Sequence, residues 1–94
     1  MEIKMDLHII VKIKSSYQEW KALFDLHSEK RAQLCDESKT LVGEVDTTTA
    51  TVTLFSVDVE AMGAMMADPE FIKMTEEHVE EHIRYVINPL SPPQ

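Results

Sequence analysis

The chain has 94 residues, the length of one domain, and we predict a single domain over residues 1–94. Acidic residues number 17 against 9 basic ones, which gives a net charge of −8. The imbalance is concentrated in residues 48–94, where only Lys73 and Arg84 are basic. Phosphate backbones and anionic lipids repel such a surface, so we expect neither nucleic acid nor a membrane as a partner.

Targeting and redox signals are few. Cys35 is the only cysteine, so no intramolecular disulfide is possible. Residues 1–9 lack a basic segment followed by a long apolar one, so we expect no signal peptide. No apolar run approaches the ~18 residues of a membrane span. We therefore expect a cytoplasmic protein, and no motif indicates a cofactor.

The first strand and helix are predicted from periodicity. Residues 5–14 alternate, with an apolar odd row and a mixed even row that includes His8, Ile10 and Lys12. Ser16 and Glu19 have the spacing of a capping box, which predicts a helix from there to about Cys35. The inward positions of this helix, at helical spacing, are Trp20, Leu23, Phe24, His27 and Leu34.

The stretch from Thr40 to Asp58 predicts a β-hairpin. Val, Thr, Leu and Phe dominate it, and these residue types suit a pleated, half-buried surface. Polar turn-type residues interrupt it at 46–49. Because an isolated hairpin is marginal in water, it needs further strands or a helical cover.

The second helical region is predicted in two pieces, about 59–66 and 69–79. Asp58 is the expected N-cap of the first piece, and Asp68 followed by Pro69 begins the second. The expected inward positions are Ala61, Met62, Met65, Met66, Phe71, Ile72 and Thr75. A last strand is predicted over 82–87. Asn88 and Pro89 are expected to end it, and residues 91–94 to form a tail.

The resulting order, β-α-β-β-α-β, predicts an α+β, ferredoxin-like fold. In it both helices cover one face of a four-stranded antiparallel sheet. We expect the other face to display His8, Ile10, Lys12, Thr53, Phe55, His82, Arg84 and Val86. That face is too apolar to be left bare, so a second copy of the chain is expected to cover it.

This element order, the half-apolar sheet face and the segment Met66–Phe71 (MADPEF) resemble the dimeric α+β barrel superfamily. The similarity covers nearly the whole chain and is greatest to small bacterial and cyanobacterial members of unassigned function. The resemblance implies a homodimer whose two sheets close into a barrel. Members of the superfamily include cofactor-independent monooxygenases, lactone isomerases and haem-degrading enzymes, so the fold does not select a function.

The chain departs from the haem-degrading members, which carry a histidine about one turn after the Phe of the second helix. Here Met74 and Thr75 occupy that region, and His78 comes two turns after Phe71. Two other modules with this element order are also disfavoured. RNA-recognition domains need basic and aromatic residues on the third strand, and metallochaperones need paired cysteines.

His78 and His82 form an H-x-x-E-H pattern, which is typical of a zinc site only when both histidines lie on one continuous helix. We expect the helix to end between them, so no metal site is predicted. His27, Trp20 and the Met62–Met65–Met66 cluster are interpreted as core, and Cys35 as an unreactive thiol.

The candidate ligand-binding residues are His8, Ile10, Phe55 and Arg84, which we expect on one sheet face. A histidine there could act as a general base, and an arginine could hold an anionic or enolate-like group.

Two function hypotheses follow. One is a homodimeric protein that binds a small, mostly apolar molecule between its two sheets, or between sheet and helices, or that has a purely structural role. The other is a cofactor-independent monooxygenase or isomerase acting on a small organic substrate.

Overall fold

The structure, a computed structural model, describes residues 4–88 and shows an α+β fold with one four-stranded antiparallel sheet. The predicted tail beyond residue 88 lies outside the described residues. In chain order the elements are β1 (Lys4–Ile13), α1 (Tyr17–Leu26), α2 (Ser28–Ala32), a 3₁₀ turn (Glu37–Lys39), β2 (Leu41–Asp46), β3 (Thr49–Asp58), α3 (Val59–Ala67), α4 (Pro69–Glu76) and β4 (Val79–Ile87).

The sheet has the strand order β2-β3-β1-β4, with β1 and β3 in the centre and β2 and β4 at the edges. All three strand pairs are antiparallel. The predicted hairpin is confirmed as β2 and β3, whose turn is fixed where the backbone N–H of Thr48 donates to Asp46 Oδ1 at 2.9 Å. The arrangement is compatible with the predicted ferredoxin-like fold.

The first helical region differs from the single long helix predicted. Ser16 caps α1 as expected, since its Oγ accepts from the backbone N–H of Glu19 at 3.3 Å. The helix then breaks at His27, whose φ and ψ of −97° and 10° are not helical. A short second helix follows and ends at Ala32, so Cys35 lies in the connection rather than at a helix terminus.

The second helical region divides where it was predicted to divide. Asp58 caps α3 through Ala61 N–H at 3.1 Å, and Asp68 caps α4 through Glu70 N–H at 3.0 Å, with Pro69 in the first turn of α4. The helix α4 ends at Glu76, earlier than the predicted 79.

The core lies between the sheet and the helix layer. Its buried apolar residues are Leu7, Ile9, Val11, Ile13, Trp20, Ala50, Val52, Leu54, Val57, Met62 and Val79. The odd row of β1 therefore faces the helices, as predicted. Trp20 is 4% exposed and stacks in a tilted arrangement on Phe24 with ring centroids 5.1 Å apart, so the inner face of α1 was predicted correctly.

A β-bulge in β4 reverses the predicted faces of that strand. Lys12 pairs with Glu81 and Ile13 pairs with Val79, which leaves Glu80 as an extra, unpaired residue. Because side chains alternate with a period of two, one extra residue moves every following side chain to the other face. Strand β4 also begins at Val79, three residues before the predicted start.

The register of β4 identifies which residues changed face. His82 pairs with Val11, Arg84 with Ile9 and Val86 with Leu7, and all three partners belong to the helix-covered face. The prediction that His82, Arg84 and Val86 lie on the open face is therefore wrong. The open face instead carries Ile83, Tyr85 and Ile87, which pair with the even-numbered residues of β1.

A second bulge lies in β3, where Phe55 and Ser56 together oppose Asp6. Ser56 has a φ of 55°, in the left-handed region, and its N–H donates to Asp6 Oδ1 at 3.0 Å. The bulge changes the alternation after Phe55, so Leu54 and Val57 are both buried although three positions apart.

Candidate ligand-binding cavity

The four predicted site residues do not form one site. Their β1 and β3 members, His8, Ile10 and Phe55, lie on the open face of the sheet, whereas Arg84 lies on the helix-covered face. The prediction that His8 and Arg84 share one face is thus wrong, because the bulge at Glu80 places the even-numbered residues of β4 on the helix-covered face. A binding role for His8, Ile10 and Phe55 stays a prediction.

His8 is held on the open face by its neighbours in the sheet. Its Nδ1 lies 3.1 Å from Thr53 Oγ1 on β3, and Tyr85 is its register partner on β4. Tyr85 is half exposed, so this part of the face remains accessible to solvent. His8 is therefore a hydrogen-bonded histidine on an apolar surface, away from any enclosed space in the described chain.

A cavity of about 90 Å³ lies on the opposite side of the sheet, between the helices and β1, β3 and β4. Its lining is mainly apolar and aromatic: Ile9, Val11, Trp20, Leu23, Phe24, Leu34, Val52, Leu54, Val57, Met62, Met65, Met66, Phe71 and Val79. The remaining lining residues are His27, Arg31, Cys35, Thr75 and His82. An apolar cavity with a few polar groups is the usual composition of a small-molecule site.

Among the polar residues that line the cavity, His82 has the fewest side-chain hydrogen bonds within residues 4–88. Within residues 4–88 its imidazole forms no side-chain hydrogen bond, whereas the other lining histidine, His27, has its Nδ1 2.8 Å from the carbonyl oxygen of Leu23. Burial, and secondarily the positive charge of Arg84, lower the pKa of His82 below its ordinary value. His82 is consequently neutral at pH 7, with one nitrogen that can donate a hydrogen bond and one that can accept.

Thr75 contributes a hydroxyl to the wall of the same cavity. Its Oγ1 donates within α4 to the backbone carbonyl oxygen of Phe71 at 3.0 Å, and it lies 3.3 Å from the carbonyl oxygen of Ile72. The donor is thereby used, while the hydroxyl lone pairs remain available to accept. Ile72 itself is 48% exposed, so its predicted inward position is wrong, whereas Phe71 and Thr75 do point inward.

Arg31 has a structural role in the cavity wall. Its Nε and Nη2 donate to the carboxylate of Glu37 at 3.0 and 2.9 Å, and its guanidinium lies 3.5 Å from the centre of the Phe24 ring. The side chain is 7% exposed, and a buried cation with a bidentate partner is not free to bind an anion. Arg31 therefore joins α2 to the 3₁₀ turn.

Cys35 has the properties of an unreactive thiol. Burial raises its pKa above the ordinary value, and its Sγ lies 3.4 Å from the carbonyl oxygen of Arg31. Because the thiolate is the nucleophile, a raised pKa disfavours a catalytic role.

The H-x-x-E-H pattern does not assemble on one helix. His78 lies in the turn after α4, with its Nδ1 2.9 Å from Ser15 Oγ, and His82 lies in β4. Among residues 4–88, no three His, Cys, Asp or Glu side chains are grouped so that they could hold a metal ion.

Sequence reasoning missed His82 as a cavity residue, although it identified most of the apolar lining. The missed signal lies in residues 79–82, where Val79 is followed by two glutamates and a histidine. Val79 and His82 are three residues apart, and both face the helices. Regular alternation would place them on opposite faces, so a bulge must lie between them.

Comparisons with known proteins add no identity to this geometry. No protein-family model matches the chain, and neither the search of curated proteins nor that of solved structures gives a match. No helix within residues 4–88 is long and apolar enough to cross a membrane. The fold and the site thus define a small α+β domain with an apolar cavity beneath its helices.

Proposed function

We propose that this protein binds a small, mostly apolar molecule in the cavity between its sheet and its helix layer. The observation that carries the proposal is the cavity itself, about 90 Å³ with a largely apolar wall and a neutral imidazole in that wall. Core cavities of this kind are uncommon in close-packed interiors and accept apolar guests when their walls are apolar.

The size of the cavity bounds the ligand. An apolar cavity of about 150 Å³ holds a benzene molecule, so about 90 Å³ admits a group of only a few heavy atoms. Met62, Met65 and Met66 form part of the wall, and methionine side chains adapt readily to the shape of a guest. A benzene-sized ligand would therefore fit after these side chains change rotamer.

Xenon and benzene are the direct probes of this proposal. Xenon gas at several bar, and benzene in a separate titration, should shift the methyl signals of Val11, Leu54 and Met62 in ¹³C-edited NMR spectra. Methyl signals that stay unchanged with both probes would refute binding in the cavity.

A pair of variants makes this experiment specific. Met65→Trp places a large ring in the cavity wall and should abolish the shifts, whereas Met74→Trp, on the exposed side of α4, should preserve them. Shifts that survive Met65→Trp would indicate that the probes bind elsewhere.

The second proposal concerns the partner, which we take to be another copy of the chain. It is supported by the open face of the sheet, where Leu41, Tyr85 and Ile87 are exposed and Ile10 and Ile83 are half-buried. Such a face resembles that of the dimeric α+β barrel superfamily, whose members pair through their sheets. A dimer would remove these apolar groups from water.

The alternative function is a cofactor-independent monooxygenase or isomerase. It is favoured by one observation, the neutral His82 imidazole beside an apolar cavity, because such a group can accept a proton from a bound substrate. For an enzyme, His82→Gln should lower kcat at least about 100-fold while ligand affinity changes little. Equal effects on binding and turnover would favour the binding protein.

A further inference from the structure

A groove between α4 and β4 adjoins the proposed ligand cavity. The groove has a volume of about 360 Å³ and is open to solvent. It shares five lining residues with the cavity: Met66, Phe71, Thr75, Val79 and His82. Because these five side chains face both spaces, the groove and the cavity adjoin, with His82 and Thr75 at the junction.

The two spaces differ in polarity, and this difference orients a ligand. The cavity wall is largely apolar, whereas the groove adds Lys14, Ile72, Glu76, Glu80 and Glu81 to the shared residues. A ligand that occupies both spaces would place an apolar chain in the cavity and a polar end at the junction.

A negative charge at that polar end is disfavoured by the groove. Three glutamates line it against one lysine, and the Nζ of Lys14 already donates to the backbone carbonyl oxygen of Glu76 at 3.0 Å. A carboxylate at the junction would lose hydration, and the three groove glutamates would oppose it, because Lys14 and Arg84 offset only part of their charge.

A positive charge at the junction is disfavoured by a different pair of causes. His82 is itself largely removed from water and lies near Arg84, and both effects act against its protonated form. An ammonium group beside His82 would lose its hydration in the same way, and Arg84 would offset part of its attraction to the groove glutamates.

We infer that the ligand is a short aliphatic molecule with an uncharged hydroxyl end, its chain in the cavity and its hydroxyl between Thr75 and His82. The inference rests on the proposed function, since it concerns the same cavity. A hydroxyl both donates and accepts, so it can donate to either Thr75 Oγ1 or the acceptor nitrogen of His82 while accepting from the donor nitrogen.

Three probes with the same five-carbon chain test this inference: 1-pentanol, pentylammonium and pentanoate. Each is titrated at pH 7.4 into the ¹⁵N-labelled protein, and the dissociation constant is taken from the amide shifts of Thr75, Val79 and His82. 1-Pentanol should bind at least tenfold more tightly than either charged probe, a difference of about 1.4 kcal/mol.

A variant pair locates the selectivity at the junction. His82→Phe keeps a ring of similar size but has no hydrogen-bonding nitrogen, so it should weaken 1-pentanol binding at least about fivefold. His78→Phe, the same substitution at a histidine that lines neither the cavity nor the groove, should leave 1-pentanol binding unchanged.

The outcomes separate this inference from the proposed function. A preference for 1-pentanol below tenfold, or its binding unaffected by His82→Phe, would overturn the inference while xenon and benzene binding still supported the cavity site. Absence of xenon and benzene binding would instead remove the proposed function, and the inference with it.

Discussion

His82 is the residue on which the site depends, and its chemistry is determined by where the backbone places it. On the open face it would be a solvated histidine like many others. On the helix-covered face it is largely buried and near Arg84, so its pKa is lowered and it is neutral at pH 7. A single displacement in register thus converts a surface histidine into a polar group at the wall of an apolar cavity.

The lowered pKa of His82 predicts a specific pH dependence of stability. The unfolded chain binds the proton near pH 6.5, the ordinary value, and the folded chain binds it only at lower pH. The contribution of His82 is therefore complete above about pH 6.5 and is lost as the pH falls through the folded-state pKa.

Urea titrations of the wild type and His82→Gln between pH 7.5 and 5 measure this contribution. The free energy of unfolding of the wild type should fall more steeply with decreasing pH than that of the variant. Parallel pH profiles would show that the imidazole is equally hydrated in both states, contrary to its position at the cavity.

At the scale of single elements, α1 is the helix whose packing is best defined. Trp20 is 4% exposed and packs on Phe24 and Tyr17, whereas Leu26 on the same helix is 80% exposed. Trp20→Ala should lower the free energy of unfolding by about 3–5 kcal/mol, the range for a buried aromatic side chain.

Leu26→Ala is the matched control for Trp20→Ala, since it truncates an apolar side chain of the same helix in solvent. It should change stability by less than about 0.5 kcal/mol in the same denaturant titration. Similar losses for the two variants would mean that the inner face of α1 has been assigned incorrectly.

The bulge in β4 is the second element that can be tested. Deleting Glu80 would remove the extra residue, so either the strand loses its pairing with β1 or the residues after it exchange faces. The exchange would place Ile83 and Tyr85 against the helices, on the face where His82 and Arg84 now lie. We expect the deletion to cost about 3 kcal/mol or more in unfolding free energy.

Glu80→Ala keeps the residue count and serves as the control for the deletion. Because Glu80 is exposed, this substitution should change stability by less than about 0.5 kcal/mol. A deletion that is as mild as the substitution would contradict the register.

These elements show how much the sequence alone could predict. The alternation of β1, the three N-caps and the apolar spacing of α1 are local signals, and the structure confirms each of them. The break at His27 and the bulge at Glu80 are not local signals. Both depend on how neighbouring elements pair and pack, and Glu80 in particular is extra only relative to Lys12 and Ile13 on another strand.

The candidate site was predicted less well than the fold for the same reason. Assigning an apolar odd row and a polar even row to β4 led to Arg84 being placed beside His8. The structure instead leaves Ile83 and Tyr85 on the uncovered face. This arrangement leaves apolar groups exposed to water in the single chain.

At the scale of the whole molecule, the proposed dimer follows from this uncovered face. The 10.8 kDa chain should sediment at equilibrium as a species of ~22 kDa at micromolar concentration. Tyr85→Lys places a charge at the centre of the face and should shift the equilibrium to monomer, because an unpaired buried charge is strongly disfavoured at an interface.

Val86→Lys is the control for the dimer, since Val86 is the next residue along β4, is 55% exposed and lies on the helix-covered side. This variant should sediment like the wild type. A stable wild-type monomer, or equal dissociation by both lysine variants, would contradict the proposed interface.

The cavity lining, the neutral histidine and the open face all depend on the orientation of β4. Nuclear Overhauser effects between side chains in solution measure that orientation. We expect contacts from the His82 ring protons to the methyl groups of Thr75 and Val11, and from Tyr85 to His8. Contacts from His82 to His8, with Tyr85 against Trp20, would contradict it.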